Sequence, residues 1–222
     1  MLLIFGEVRG AESMAITLWG AGTSRTVRPI WMAEELGVEY ELHPIGPRTG
    51  ETRTKAFTEL NPKQKIPVMV DGDLRLTESV AISRYLRDRY PNTAAIASPV
   101  TLEDRAREDA WCCYVFGEID ETSLYVMRRH RDLSSIYGEA PAAVTSSAEY
   151  AGKHLRVVAE HLARNKYLLP AGFGLADLIL MTCLDWAHAY SVGLPDPLSD
   201  WRLKVAARPA YQRAMKANRR PI

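Results

Sequence analysis

The chain has 222 residues, of which 28 are basic and 27 acidic, so its formal net charge is +1. This length suits one large domain or two small ones, and either can bury a core without disulfides or metals. The balanced charge argues against nucleic acid and membrane surfaces as partners. Only three cysteines occur, without metal-ligand spacing, so we expect no metal and a reducing, cytoplasmic location.

The first residues contain an apolar run of only four, from Leu2 to Phe5. Four residues are too few for the apolar region of a signal peptide or for a membrane span. A strand-like pattern begins only after Met14. We therefore interpret residues 1–13 as a disordered extension.

Residues 14–91 show a pattern of short strands and helices. Strands are predicted at residues 16–20, 40–45, 68–70 and 74–76. An apolar stripe that ends at Gly37 predicts a helix after the first strand, and residues 80–90 predict another before Pro91. Asp71-Gly72 favours a tight hairpin turn, because both residue types tolerate positive φ. The segment is predicted to be an α/β domain with the order βαβ, then ββα.

Helical periodicity replaces this pattern from residue 100 onward, and no strand is predicted there. Helices are predicted at residues 101–130, 141–164, 174–190 and 199–217. The small, proline-ended segment 92–99 predicts a linker. We therefore expect an α/β domain at 14–91 and an all-α helical domain at 100–222.

The loop GAGTSR, residues 20–25, connects the first strand to the first helix. A dinucleotide-binding loop would have a third glycine where Arg25 stands, so a nucleotide site is disfavoured. Thr23 and Ser24 occupy the position of a helix N-cap. A hydroxyl there either caps the helix or helps the free N–H groups to stabilise a small anion, and the two roles are compatible.

Two further features combine a structural and a functional interpretation. Pro67 lacks an N–H group and predicts a sheet edge at Ile66, where an extended peptide can pair with the backbone. Glu78 and Ser79 open a helix, which suits either simple capping or the binding of an amino acid head group.

Other candidates are weaker. Cys112 and Cys113 are neighbours on a predicted helix, where their side chains point about 100° apart, so we expect buried, inert thiols rather than metal ligands. The basic residues near the C-terminus, among them Arg213 and Arg220, are interpreted as a solvated surface.

The most specific block is NPKQKIPVMVDGDLRLTESVAISRYL, residues 61–86, which resembles the signature of the glutathione transferase superfamily. Three shorter blocks are also similar to the family: TSRTVRPIWMAEELG (23–37), GLADLIL (174–180) and RPAYQRA (208–214). The resemblance covers about residues 16–216, and the active-site loop is similar to the bacterial serine- or threonine-type. It implies a thioredoxin-like N-terminal domain, a helical-bundle C-terminal domain and a homodimer.

The resemblance also implies a role for each matching residue. Pro67 is expected to be a cis proline, and the backbone of Ile66 to pair with the cysteinyl part of glutathione. Glu78 and Ser79 are expected to hold the γ-glutamyl head group. Gln64 and Lys65 are candidates for the glycyl carboxylate and nearby contacts. Ser24, with Thr23 as the next choice, is expected to activate the thiol, with Arg25 as an electrostatic helper.

The sequence departs from the family pattern at three places. Trp19 stands near the position at which other branches carry a catalytic tyrosine. No cysteine occurs from residue 16 to 30, which argues against branches that form a mixed disulfide with glutathione. Gly174 replaces the usual Ser or Thr cap that pairs with Asp177, at a cost of about 0.5 kcal/mol.

The resemblance implies conjugation of the glutathione thiolate to a small, apolar electrophile. Trp111, Tyr114 and Trp186 are candidates for the apolar wall beside the thiol. Glutathione is then the co-substrate. Isomerisation, peroxide reduction or ether cleavage on the same scaffold is an alternative, and so is a non-catalytic binding module.

Overall fold

The computed structural model describes residues 16–92 and 94–220. The predicted extension, residues 1–13, lies outside the described residues. The strands are β1 (Ile16–Trp19), β2 (Tyr40–His43), β3 (Val68–Asp71) and β4 (Leu74–Thr77). The first helices are α1 (Ser24–Leu36), α2 (Lys55–Leu60) and α3 (Ser79–Arg89), with a 3₁₀ turn at Glu51–Arg53. The later helices are α4 (Leu102–Tyr114), α5 (Val126–His130), α6 (Ser134–Tyr137), α7 (Pro141–Leu162), α8 (Leu175–Ala189), α9 (Asp196–Ala206) and α10 (Pro209–Ala217).

The four strands form one mixed sheet in the order β2-β1-β3-β4. Strand β1 is parallel to β2 and antiparallel to β3, with Trp19 opposite Val68. Strands β3 and β4 form the predicted hairpin, and Gly72 takes the positive φ of 57° that its turn requires. The sheet and its helices have the thioredoxin-like order that the sequence predicted.

Helix α1 joins the two halves of the molecule. It begins behind the N-cap Thr23 and ends at Gly37, whose φ of 70° stops the helix. Ile30 and Trp31 are fully buried. The helix packs on α3 within the first domain and on α8 and α10 of the second, so its position depends on both.

The predicted helix 101–130 is one continuous run that changes character in the middle. Between α4 and α5 the backbone is π-helical over Val115–Tyr125. Such wide turns are rare in helices and often occur at functional sites. This segment carries Asp120 and Tyr125, which both contact Arg25 of α1.

The single helix predicted at 199–217 is wrong, because the structure has two helices there. Helix α9 ends at Ala206, and α10 begins with Pro209 at its first position. Proline lacks the N–H that a continuous helix needs, but it suits the first turn of a new one. None of the helices in the described part of the chain combines the length and apolar character needed to cross a membrane. The domain limits 14–91, 92–99 and 100–222 stay a prediction.

The N-terminus of α8 is held by a buried carboxylate. Asp177 accepts a hydrogen bond from the Gly174 N–H (3.0 Å) through one oxygen and from the Leu168 N–H (2.9 Å) through the other. Its side chain is fully buried, as is most of α8. With glycine at position 174, the cap lacks the hydrogen bond that a Ser or Thr side chain would accept. The reciprocal hydrogen bond, from the Gly174 N–H to Asp177, is still made.

We expect Asp177→Asn to destabilise the protein by about 1–3 kcal/mol, because an amide has only one acceptor oxygen for two buried N–H groups. Urea denaturation measures the loss. Asp200→Asn, at an exposed position on α9, is the matched control and is expected to change stability by less than about 0.5 kcal/mol. Equal midpoints for the two variants would contradict this role of Asp177.

Candidate functional site

A cavity of about 240 Å³ lies between the α/β domain and the helical domain. Loops of the first domain form one side, and α5, α6 and α8 contribute to the other. Seven residues predicted for the site line it: Thr23, Ser24, Arg25, Gln64, Lys65, Ile66 and Trp186. Most of the predicted thiol-activating and peptide-binding residues therefore meet at one place.

The sheet edge predicted at Ile66 is wrong, because β3 lies between β1 and β4 and Pro67 directly precedes this interior strand. Ile66 lies in the loop before β3, and this loop is held close to the loop before α1. The Ile66-Pro67 peptide bond is cis, as the resemblance implies. A Cβ atom added to Gly20, whose φ is 115°, would lie 2.6 Å from the Cβ of Ile66, so only glycine allows this approach. The backbone N–H and carbonyl of Ile66 have no backbone partner within residues 16–92 and 94–220. They are available to a peptide ligand.

The two candidate hydroxyls at the start of α1 have different environments. The Oγ1 of Thr23 accepts the Thr26 N–H at 3.0 Å and lies 3.0 Å from the Thr26 hydroxyl. Thr23 is therefore the cap. The Ser24 hydroxyl, at the first position of the helix, makes no hydrogen bond to any protein group that the structure describes. Ser24 is therefore free to donate to an anion in the cavity, where the helix N-terminus also favours negative charge.

The end of the chain fixes this loop. Asn218, directly after α10, accepts a hydrogen bond from the Gly22 N–H through its backbone carbonyl (2.8 Å). Its side-chain oxygen accepts from the Thr26 hydroxyl (2.7 Å), and its amide donates to the carbonyl of Thr23 (3.1 Å). Residues almost two hundred positions apart thus determine the conformation of the loop that carries Ser24.

Arg220 strengthens the same contact. Its side chain packs against Gly22 and Gly46 and pairs with Glu51 at 3.3 Å. The C-terminal basic residues are exposed, as predicted, and Arg220 has this contact in addition.

A buried ion pair connects α1 to the helical domain behind the cavity. Arg28 and Asp120 are both fully buried and form a salt bridge, and Arg25 binds the second oxygen of Asp120. Burial alone would raise the pKa of Asp120, but the two guanidinium groups outweigh it and hold that pKa below its usual value. Arg28 also donates to the Ser79 hydroxyl at 3.3 Å. Arg25 thus has a structural partner as well as a place in the cavity.

The remaining predicted residues adjoin the cavity rather than line it. Glu78 precedes α3 with a φ of 71° and forms a salt bridge with Lys63, which does line the cavity. Ser79 is buried at the first position of α3. Pro67 is buried directly before β3.

Of the three residues predicted for the aromatic wall, only Trp186 lines this cavity. Trp111 and Tyr114 line a different groove, of about 540 Å³, between α4 and α7. There the Tyr114 hydroxyl oxygen lies 2.8 Å from His154 Nδ1, and the Trp111 ring packs on the His161 ring. Their position on α4 directs them away from the cleft, which the helical periodicity could not reveal. The aromatic and aliphatic wall of the cavity is instead formed by Tyr125, Ile136, Tyr137 and Trp186.

The charge of the cavity was missed by the sequence analysis. Among the described residues that line it, six side chains are basic and none is acidic. Arg48, Arg53, Lys63 and Arg128 were not predicted for the site. The only sign of this charge in the sequence was the frequency of basic residues between β2 and β3. The direction of these side chains could not be predicted, because loops have no periodicity.

The cysteines do not contribute to the cavity. Cys112 and Cys183 are buried, and burial raises the pKa of each thiol to about 12. Cys113 is exposed, so the prediction that both neighbours are buried is wrong for it. Within the described residues, no group of three or more His, Cys, Asp or Glu side chains is arranged to hold a metal ion.

Comparison with known proteins agrees with the fold. Residues 14–88 match the family model of the glutathione S-transferase N-terminal domain, and residues 141–217 match that of the C-terminal domain. Glutathione S-transferase 3 of Zea mays is 31% identical over 210 residues, which cover 91% of this chain and 94% of the relative. Glutathione S-transferase theta-1 of Bos taurus is 28% identical, with 87% and 83% covered.

A solved structure extends the likeness to three dimensions. The theta class glutathione S-transferase of the citrus canker pathogen Xanthomonas axonopodis pv. citri, with glutathione bound, has a TM-score of 0.75 at 28% identity. The match covers 90% of this chain and 97% of that chain. The protein belongs to the glutathione S-transferase family. It is an enzyme of the transferase class.

We expect Asn218→Ala to lower the turnover number of the transferase with little change in KM for glutathione. The variant loses the side-chain contacts to Thr23 and Thr26 but leaves the unpaired backbone at Ile66 intact. Steady-state kinetics measures the separation of the two constants. Asn165→Ala, which removes one exposed hydrogen bond at the end of α7, is the control. A rise in KM with unchanged turnover would contradict a positioning role for Asn218.

Proposed function

We propose that the protein binds glutathione along the unpaired backbone at Ile66 and ionises its thiol at Ser24. The Ser24 hydroxyl carries the proposal, because it lies at a helix N-terminus, lines the cavity and has no protein partner among the described residues. Ile66 offers its unpaired backbone groups to the cysteinyl part of the peptide.

The two carboxylates of glutathione have separate proposed receptors. Glu78 and Ser79 bind the γ-glutamyl amino and carboxylate groups, a role supported by their position at the N-terminus of α3. Lys65 and Gln64 bind the glycyl carboxylate, a role supported by their place in the cavity lining. Lys63 holds the Glu78 carboxylate in place.

The proposed chemistry is attack of the thiolate on a small electrophile with an apolar body. A free thiol with a pKa of about 8.5 is only about 3% ionised at pH 7. Lowering that pKa by about two units corresponds to about 2.7 kcal/mol. One hydroxyl donor, the helix N-terminus and the cations of the cavity are together adequate sources of this stabilisation. The wall of Tyr125, Ile136 and Trp186 supports an apolar body.

Other glutathione chemistry is the second candidate. Isomerisation, peroxide reduction and ether cleavage all begin with attack by the same thiolate. They differ in the electrophile and in the fate of the sulfur, since isomerisation regenerates glutathione and peroxide reduction consumes a second glutathione to form the disulfide. None of the three cysteines lines the cavity, which favours chemistry at the thiolate of glutathione over disulfide exchange with the protein. A non-catalytic module is disfavoured, since such a protein has no need of a free Ser24 hydroxyl beside the unpaired backbone of Ile66.

We also propose a homodimer in the cytoplasm. Leu102 and Val157 are exposed on α4 and α7, beside the groove that contains Trp111. A second copy of the chain that covers this face would bury them. The three free cysteines are typical of a reducing compartment. Sedimentation equilibrium measures the mass in solution, and a monomer at micromolar concentration would contradict the dimer.

We expect Ser24→Ala to raise the pKa of bound glutathione by about one to two units, because a hydrogen bond to a charged group contributes about 1.5–3 kcal/mol. Thr23→Val is expected to leave this pKa nearly unchanged and to cost about 1 kcal/mol of stability through loss of the cap. Titration of the thiolate absorbance of the complexes measures both values.

The reverse result, with a shift in Thr23→Val and none in Ser24→Ala, would assign activation to Thr23. If neither variant shifts the pKa, the activating group lies elsewhere. Retention on immobilised glutathione tests the receptor separately, and loss of both retention and thiolate would favour the non-catalytic module.

A further inference from the structure

Arg128 has an unusual position in the cavity. It lies on α5, and its guanidinium carbon is 6.0 Å from the centre of the Trp186 ring. The side chain is half-buried. It makes no salt bridge within residues 16–92 and 94–220, whereas Arg131 on the next turn pairs with Asp132 at 2.9 Å. The Tyr190 hydroxyl also donates to Asp132. Arg128 contributes to lowering the pKa of Asp132 through its charge, without forming a salt bridge with it.

The other cations of the cavity have different surroundings. Arg25 is paired with Asp120 and Glu121, and Lys63 is paired with Glu78. The remaining three, Arg48, Arg53 and Lys65, all come from loops of the α/β domain. They are on the same side as the proposed glutathione receptor. Within the described part of the chain, Arg128 is thus the one lining cation that the helical domain provides.

The excess of positive charge is local. The whole chain has a formal net charge of only +1, but no acidic side chain among the described residues lines the cavity. Its effect extends across the cleft to α6, where Arg48, together with the nearby charges of Lys65 and Arg129, lowers the pKa of Tyr137. A ligand of matching negative charge is favoured in such a site.

Glutathione does not account for Arg128. Its two carboxylates have proposed receptors in the α/β domain, at α3 and at Lys65. Arg128 lies across the cavity, among Ile136, Tyr137 and Trp186, which form the apolar wall proposed for the second substrate. A guanidinium group binds a carboxylate through two parallel hydrogen bonds, and its plane packs well on an aromatic ring.

We propose that the second substrate is an anionic electrophile, with a carboxylate on a flat apolar body, and that Arg128 binds this carboxylate while Trp186 contacts the body. This inference rests on the proposed function and defines its substrate class. The carboxylate takes no part in the bond changes. With a chloroarene, the sulfur of glutathione forms the new bond to carbon, and chloride leaves with its electron pair.

A matched pair of electrophiles tests the proposal. The probes are 4-chloro-3-nitrobenzoate and its methyl ester, which share the reacting carbon and differ in charge. For each, kcat/KM is divided by the rate constant of the uncatalysed reaction, because the ester is intrinsically more reactive. The wild-type enzyme is expected to favour the acid by about tenfold or more, the effect of one charge-assisted pair of hydrogen bonds.

Arg128→Gln is expected to remove this preference by lowering the value for the acid about 10- to 100-fold, with the ester changed by less than about threefold. Arg128→Lys keeps the charge without the planar fork and is expected to retain part of the preference. Arg156→Gln on α7 removes the same charge from an exposed position and is expected to keep the full preference. An equal loss for acid and ester in Arg128→Gln would overturn the proposal.

Binding by calorimetry separates this inference from the proposed function and does not depend on turnover. The ligands are glutathione and the two S-conjugates that the probes would form. Tight binding of glutathione with equal affinity for both conjugates would overturn the anionic substrate class alone. Absence of binding to glutathione and to both conjugates would overturn the proposed function as well. Tighter binding of the acid conjugate, lost in Arg128→Gln, supports the proposal.

Discussion

The buried pair of Arg28 and Asp120 is the interaction on which the site depends. Neither side chain touches solvent, and each comes from a different domain. Breaking such a pair by removing one partner costs about 3–5 kcal/mol, because an uncompensated charge stays buried. The pair fixes the start of α1 against the π-helical segment and, through the Ser79 hydroxyl, against α3. The geometry of the cavity therefore depends on contact between the two domains.

The same principle applies to the loop that carries Ser24. Its conformation is determined by the cap at Thr23, by the close approach of Ile66 to Gly20 and by Asn218 at the end of the chain. These parts are distant in sequence and belong to different elements. Because these contacts fix the backbone that carries the hydroxyl, the hydroxyl loses little entropy when it donates to a ligand. Its hydrogen bond can then contribute more to ionising a thiol.

The sequence predicted the parts of the site that depend on local chemistry. Pro67, the Asp71-Gly72 turn and the cap before α1 each have a backbone requirement that few residues satisfy, so their identity reveals their structure. Trp111 shows the limit of such inference. Residues on one helix share a periodicity but not a partner, and only packing decides which helix faces the cleft. Arg128 could not be predicted for the same reason.

Under the proposed function, the cations of the cavity have opposing effects on catalysis. They attract glutathione and stabilise its thiolate, which favours the chemical step. A conjugate keeps both carboxylates of glutathione, so the same cations would also hold the product. Arg48, Arg53 and Lys65 are exposed, and water and salt weaken each of their interactions. Arg128 is more enclosed, and its proposed role is to select among electrophiles. In this proposal the stronger contact discriminates between substrates, and the weaker contacts allow the product to leave.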